Sequence, residues 1–397
     1  MSLDPLASLL AATVVLLIGS LLNRRIGLLS RYNIPDPITG GLLFAALASL
    51  VFAITDFRLQ IDQTLKPVLL LMFFAGVGMC ADLRMLGRGG RALLIFLLVL
   101  FPYILVQNGV GIAVALALDQ HPIFGLVGGS ITLVGGHGTG AAYAERFAEV
   151  NNLQSVMELS MTVATLGLIV GGIIAGPVAQ YLIKRHGLRA EASAAAGSTD
   201  PQARHESEST LNSLGMMGAL AGILAAVVAG QWLAGRFGGG AVTIPSFLWC
   251  MVVGVAIRNL LPFAGMRLDD RASDLISTIC LSLFLVTTMM ALNLVEVALS
   301  AGPFVLMIAA QVVFIVLYTV FVCFRFMGRD YEAAVSSAAL IGFSMGSTAT
   351  AMANMQTITA RYGPAPQSYL IVPLAGAFFI DLMNAVVLTL TLPLIGG

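Results

Sequence analysis

Long apolar runs alternate with short polar breaks along this chain, and the lengths of the runs decide its class. A helix needs roughly 20 apolar residues to cross about 30 Å of hydrocarbon. Runs of that order predict spans near 6–22, 38–54, 67–82, 92–118 and 157–183, then 211–234, 245–261, 275–295, 303–324 and 369–396. Two further apolar stretches, 123–149 and 334–360, are interrupted midway by glycine and small polar residues. Each of their arms has about 12 residues, or roughly 18 Å of helix, which is too short to cross. Both are expected to be re-entrant hairpins.

Basic residues test this plan. With the N-terminus outside, the inner loops hold Arg24, Arg25, Arg31, Arg84, Arg88, Arg91, Lys184, Arg185, Arg189, Arg204, Arg258, Arg267, Arg271, Arg325, Arg329 and Arg361. The outer side keeps Arg58, Lys66, Arg146 and Arg236. Sixteen against four satisfies the positive-inside rule, provided that both hairpins return to the side they entered from. The expectation is ten spans with both termini outside.

The hydrophilic stretch 184–210, rich in Ala, Ser and charge, reads as a cytoplasmic linker. Around it the pattern repeats with an offset of 210 residues: Ile34-Pro35 matches Ile244-Pro245, Phe74 matches Phe284, Met79 matches Met289, Gly136 matches Gly346 and Ala141 matches Ala351. Five crossings per half is an odd number, so the halves 1–183 and 211–397 must be inverted. Inverted repeats with broken segments near the midplane are the plan of secondary transporters.

Composition agrees with this class. Of 397 residues 58% are hydrophobic and 10% charged, against about 25% charged in a soluble domain. Net charge is zero, so no global field draws nucleic acid. Cys80, Cys250, Cys280 and Cys323 all lie in apolar stretches without metal-ligand spacing. The first apolar run ends at Asn23-Arg24-Arg25 rather than at a small-residue cleavage site, so it is read as a span and not a leader.

The candidate chemistry lies in the two broken stretches. The first reads Gly128-Gly129-Ser130-Ile131-Thr132-Leu133-Val134-Gly135-Gly136-His137-Gly138-Thr139-Gly140. Its glycines leave peptide groups bare at membrane depth, where they need partners. N–H groups opening the next helix at Gly136, His137, Gly138, Thr139 and Gly140 suit a carboxylate. Carbonyls ending the previous arm, with Ser130, Thr132 and Gly135, suit sodium. Close packing through small residues is the plainer alternative. In the second stretch Ser344 is a further sodium candidate, and Ser347, Thr348, Thr350 and Asn354 are substrate candidates. Thr350 and Asn354 share a helix face, and Ser347 or Thr348 could simply cap it.

Residues 342–346 also spell G-x-S-x-G, a hydrolase nucleophile pattern that expects a later histidine. All four histidines, at 121, 137, 186 and 205, precede Ser344, so no enzyme is expected. His137 has no second ligand at metal spacing. Asp381 lies well inside the last span, where a carboxylate costs at least about 2.5–3.5 kcal/mol without a partner. Asn384 lies three residues on, and an ammonium group or a cation would satisfy both. Gln107, Asn108, Gln311 and Glu158 are weaker polar candidates.

The segments GSITLVGGHGTGAA, GSTATAMANMQTITARYGP and VPLAGAFFIDLMNAVV together resemble the bacterial sodium/glutamate symporters, and the resemblance covers essentially the whole chain. It implies sodium as coupling ion, L-glutamate as substrate, a homodimer and elevator-type movement of a core domain. It carries 136–140 and 347–354 over as site positions, with Ala349 standing where a proline is expected. Two carboxylates and one ammonium on glutamate match the two hairpin tips and Asp381. A carrier of another small carboxylate, such as citrate, is the nearest rival reading.

Overall fold

The structure, a computed structural model, describes residues 3–27, 35–55, 59–150, 156–190, 213–237, 245–264, 268–291 and 294–395. Most of the expected 184–210 linker lies outside the described residues. The first half builds α1 (Pro5–Arg25), α2 (Asp36–Thr55), α3 (Lys66–Met79), α4 (Leu86–Ala117), α5 (Pro122–Leu126), α6 (Gly136–Val150) and α7 (Val156–His186). The second builds α8 (Ser213–Phe237), α9 (Ser246–Leu260), α10 (Asp270–Met290), α11 (Leu294–Tyr318), α12 (Tyr331–Met345), α13 (Thr348–Tyr362), α14 (Pro366–Leu374) and α15 (Ile380–Thr391). Helices thus stand at all ten places where apolar runs predict spans. Seven helices among the described residues are long and apolar enough to cross a membrane.

The others differ for local reasons. Helix α3 is 14 residues long and starts at Lys66-Pro67, where proline suits the first turn. The last helix is divided by a π turn at Ala375–Phe379 that joins α14 to α15 through helical backbone. Similar π turns follow α5 at Val127–Ile131 and α11 at Thr319–Cys323. Such turns interrupt the regular ladder and are common at functional sites. The 210-residue offset reappears in the helix starts: Asp36 with Ser246, and Val156 with Pro366.

Packing sorts the helices into two groups. Helices α1–α3 and α8–α10 pack densely on one another, while α4–α7 and α11–α15 form a second bundle. Glycine lets the first group close up. A Cβ on Gly78 would collide with the carbonyl oxygen of Met251, and one on Gly254 with that of Ala75, so α3 and α9 cross backbone to backbone. Small residues at crossings are how helices associate where lipid removes the hydrophobic drive. Asn259 ties the same crossing down, donating to the Ala81 carbonyl at 2.8 Å and accepting from the Leu83 amide at 3.0 Å.

The seam between the groups is thin. It includes the Lys66–Glu145 ion pair and the edge-on contact of Tyr143 with Phe247, 5.4 Å between centroids. Within the second bundle, Gly167 and Gly171 admit α12: a Cβ on Gly167 would lie 2.6 Å from the Met345 carbonyl oxygen. Asp330 caps α12 by accepting from the Ala333 amide at 2.7 Å. Glu332 accepts from the Ser368 amide at 2.8 Å, fastening the start of α14 to the start of α12.

Candidate functional site

The two broken helix pairs, α5–α6 and α12–α13, meet at their breaks. Gly136 opens α6 with φ +63°, a conformation that glycine adopts without strain. A Cβ built on it would sit 3.4 Å from the carbonyl oxygen of Gly346, immediately before α13. Two helix N-termini therefore lie side by side in the second bundle. Their unpaired N–H groups and dipoles favour negative charge.

In the first pair the chain departs from helix at Gly129, φ −112° and ψ −134°. The Ser130 amide then donates to Asn108 Oδ1 at 2.9 Å. Its carbonyl accepts from the Gly135 amide and from Asn384 Nδ2, each at 3.0 Å. Thr132 donates to the Val127 carbonyl at 2.6 Å, which leaves its lone pairs free. The fully buried Ser130 hydroxyl has no hydrogen-bond partner among the described residues. A Cβ on Gly135 would collide with Thr139 and with the Ile131 carbonyl oxygen, so that glycine is needed for the turn to close, while one on Gly140 would lie 3.2 Å from the Thr132 methyl. Gly138 faces out of the bundle: its Cβ would lie 2.9 Å from the Phe73 ring of α3. His137 is buried, its Nε2 3.0 Å from Thr165 Oγ1 on α7.

The second pair is held at its tip by Ser347, whose hydroxyl accepts from the Thr350 amide at 3.2 Å. Capping, the plainer alternative for Ser347, is thus present. Thr348 instead reaches across, donating to the Gly376 carbonyl in the π turn of the last helix at 3.2 Å. Thr350 and Asn354 share a buried face, as their spacing predicts. Asn354 donates to the Gly171 carbonyl at 3.3 Å and so binds α13 to α7.

The last helix brings up Asp381 and Asn384. Asn384 is almost wholly buried and donates through Nδ2 to the Ser130 carbonyl. Asp381 is half-buried one turn away, and no hydrogen bond or ion pair reaches its carboxylate among the described residues. No group of three His, Cys, Asp or Glu side chains stands together among the described residues. A cation at this centre would be held by amide, hydroxyl and carbonyl oxygens.

Residues ranked low in the sequence prove central. Gln107 and Asn108, adjacent on α4, each hold one broken pair: Asn108 takes the Ser130 amide, and Gln107 Nε2 donates to the Ser344 carbonyl at 3.0 Å. Gln311 Nε2 in turn donates to the Gln107 carbonyl at 2.9 Å. Two consecutive amides deep in an apolar run were the signal, since buried polar side chains in a span need partners. Thr165 and Phe73 gave none; hydroxyl and ring residues are ordinary in such helices.

An all-helical, membrane-embedded chain whose helices break around a buried polar centre defines a membrane transport protein. This chain matches the sodium/glutamate symporter family over residues 1–364 and belongs to it. The sodium/glutamate symporter of Escherichia coli is 39% identical over 402 positions, spanning 100% of this chain and 99% of that protein. The one from Haemophilus influenzae is 38% identical over 384 positions, spanning 96% and 95%. The family is one of transporters, not enzymes. Among solved structures, the sodium proton antiporter MjNhaP1 from Methanocaldococcus jannaschii aligns with 98% of each chain at 14% identity and a TM-score of 0.40, too loose to inform the site.

Proposed function

We propose that this chain carries L-glutamate into the cell in symport with sodium across the bacterial inner membrane. The observation behind the reading is family membership across both broken helix pairs, with relatives at 38–39% identity along nearly the whole chain. The halves 1–183 and 211–397 form inverted repeats of five spans, joined by a cytoplasmic linker at 184–210, with both termini periplasmic. The pairs α5–α6 and α12–α13 are the re-entrant hairpins. The 210-residue spacing of helix starts supports that plan, as does the meeting of the equivalent residues Gly136 and Gly346.

In this reading the substrate carboxylates lie at the starts of α6 (136–140) and α13 (347–350), and the ammonium lies at Asp381. Sodium, the coupling ion, uses oxygens around Ser130, Thr132, Gly135 and Ser344. Helices α4–α7 and α11–α15 form the moving core of an elevator. Helices α1–α3 and α8–α10 form the scaffold through which two copies pair as a homodimer. The thin seam between densely packed groups supports that division.

Labelled L-glutamate uptake into proteoliposomes tests the function, first with an inward sodium gradient and then with potassium replacing sodium. Sodium-dependent accumulation is expected. Failure by folded, inserted protein would overturn glutamate as substrate, and uptake of a non-amino carboxylate in its place would name the rival.

A further inference from the structure

Buried oxygens without a donor gather where α4 passes the end of α12. Gln107 is fully buried, and its Nε2 is committed to the Ser344 carbonyl. Reversing that amide would set two oxygens face to face, so its orientation is fixed and Oε1 is left facing elsewhere. Oε1 finds no hydrogen-bond partner among the described residues. The hydroxyl of Ser344, also fully buried, makes no hydrogen bond of ordinary geometry among them. One helical turn before Gln107, on the same face of α4, stands Tyr103, and its hydroxyl lies beside the Ser344 side chain. That hydroxyl is likewise fully buried and pairs only weakly with Ser344. A buried amide oxygen without a donor, beside two hydroxyls that face chiefly each other, is uncommon, because buried polar groups are nearly always satisfied.

The surroundings select the missing ligand. Ser344 lies in the last turn of α12, whose terminal carbonyls bear partial negative charge. Neutral oxygens at a helix C-terminus suit a hard monovalent cation, whereas magnesium and calcium sites recruit carboxylates. We infer that a sodium ion binds between α4 and the end of α12, with Gln107 Oε1, Ser344 Oγ and Tyr103 Oη as side-chain ligands. The inference rests on the sodium coupling proposed above and assigns two of its ligands, Gln107 and Tyr103, to a helix outside both hairpins. Ser344 is two residues from the Gly346 break, so an ion here fixes the tip that presents the start of α13 to substrate. Sodium and glutamate then favour each other's binding by the same factor.

Ser344→Ala and Tyr103→Phe each remove one proposed ligand oxygen. In a merely structural role, deleting either hydroxyl changes stability equally in sodium and in its absence. Two measurements on the full chain are needed: the thermal midpoint of purified protein in sodium chloride against choline chloride, without substrate, and the sodium dependence of uptake in proteoliposomes. The expected result is a sodium-induced rise in midpoint for the native protein that shrinks in both variants. Half-saturating sodium should rise at least tenfold in Ser344→Ala. Native sodium shifts and unchanged half-saturation in both variants would overturn the site, as would a native protein that sodium does not stabilise. A native protein that sodium stabilises but that takes up no glutamate would sink the proposed substrate and leave this site standing.

Discussion

Lys66 and Glu145 form an ion pair of 2.9 Å across the seam between the two helix groups, one at the start of α3 and the other on α6. The ammonium also lies over the Phe284 ring, 5.7 Å from its centroid, so Lys66 is anchored on the first group while gripping the second. If one group slides against the other, this pair must part in every cycle. Cysteines at both positions, in a chain with its four native cysteines replaced, are expected to allow uptake when free and to block it when joined by a short cross-linker. Cleaving the linker should restore transport. Full activity in the cross-linked protein would mean that the groups do not separate here, and the elevator reading would fall.

In the proposed reading Asp381 holds the substrate's amino group. Its half-buried carboxylate has no partner among the described residues, and one turn further on Asn384 is fastened to the first broken helix pair. Asp381→Asn keeps the shape and removes the charge, so glutamate affinity should fall at least tenfold. Competition by dicarboxylates that lack an amino group should be unchanged or stronger. Unaltered glutamate affinity and sodium dependence in this variant would remove Asp381 from the site.

Glycine packing in the first helix group should be measurable as stability. Gly78→Ala and Gly254→Ala each drive a methyl into a backbone carbonyl where α3 crosses α9. Overpacking of this kind costs about 1–3 kcal/mol, so thermal midpoints should drop clearly. Gly172→Ala on α7 is the control, because nothing lies within 4 Å of its added Cβ. Equal midpoints in all three variants would show that the tight crossing is not needed.

Much of this arrangement could be read from the chain. Run lengths placed the helices, and the glycine-rich breaks at 129–136 and 346 marked the centre, because bare peptide groups in a membrane need a purpose. The division into two packing groups was hidden, since helices of both groups face lipid on one side and have similar hydropathy. Which polar residue meets which break was hidden too. Gln107 and Asn108 differ by one residue, yet a helix turns about 100° per residue, and so one reaches Ser344 while the other reaches Ser130. Gly136 and Gly346 share a place in the 210-residue repeat, but their nearness could not be read from either segment alone. Thr348 illustrates the limit: nothing near it in sequence announces the Gly376 carbonyl that it finds.

Charge and driving force constrain the coupling stoichiometry. Glutamate enters as a net anion, so one sodium makes the cycle electroneutral and a second leaves one positive charge moving inward. That charge is worth about 2.3 kcal/mol per 100 mV of membrane potential. A tenfold sodium gradient contributes about 1.4 kcal/mol for each ion. One ion alone would support roughly tenfold accumulation, whereas two ions and the potential supply roughly 5 kcal/mol, enough for several thousandfold. The buried centre has neutral oxygens in two separate places, around Ser130 and around Ser344, in keeping with more than one ion. Uptake into proteoliposomes at fixed sodium gradient should therefore rise when a potassium diffusion potential makes the interior negative. Accumulation that ignores the potential would establish one sodium per glutamate and leave one of the two oxygen clusters without an ion.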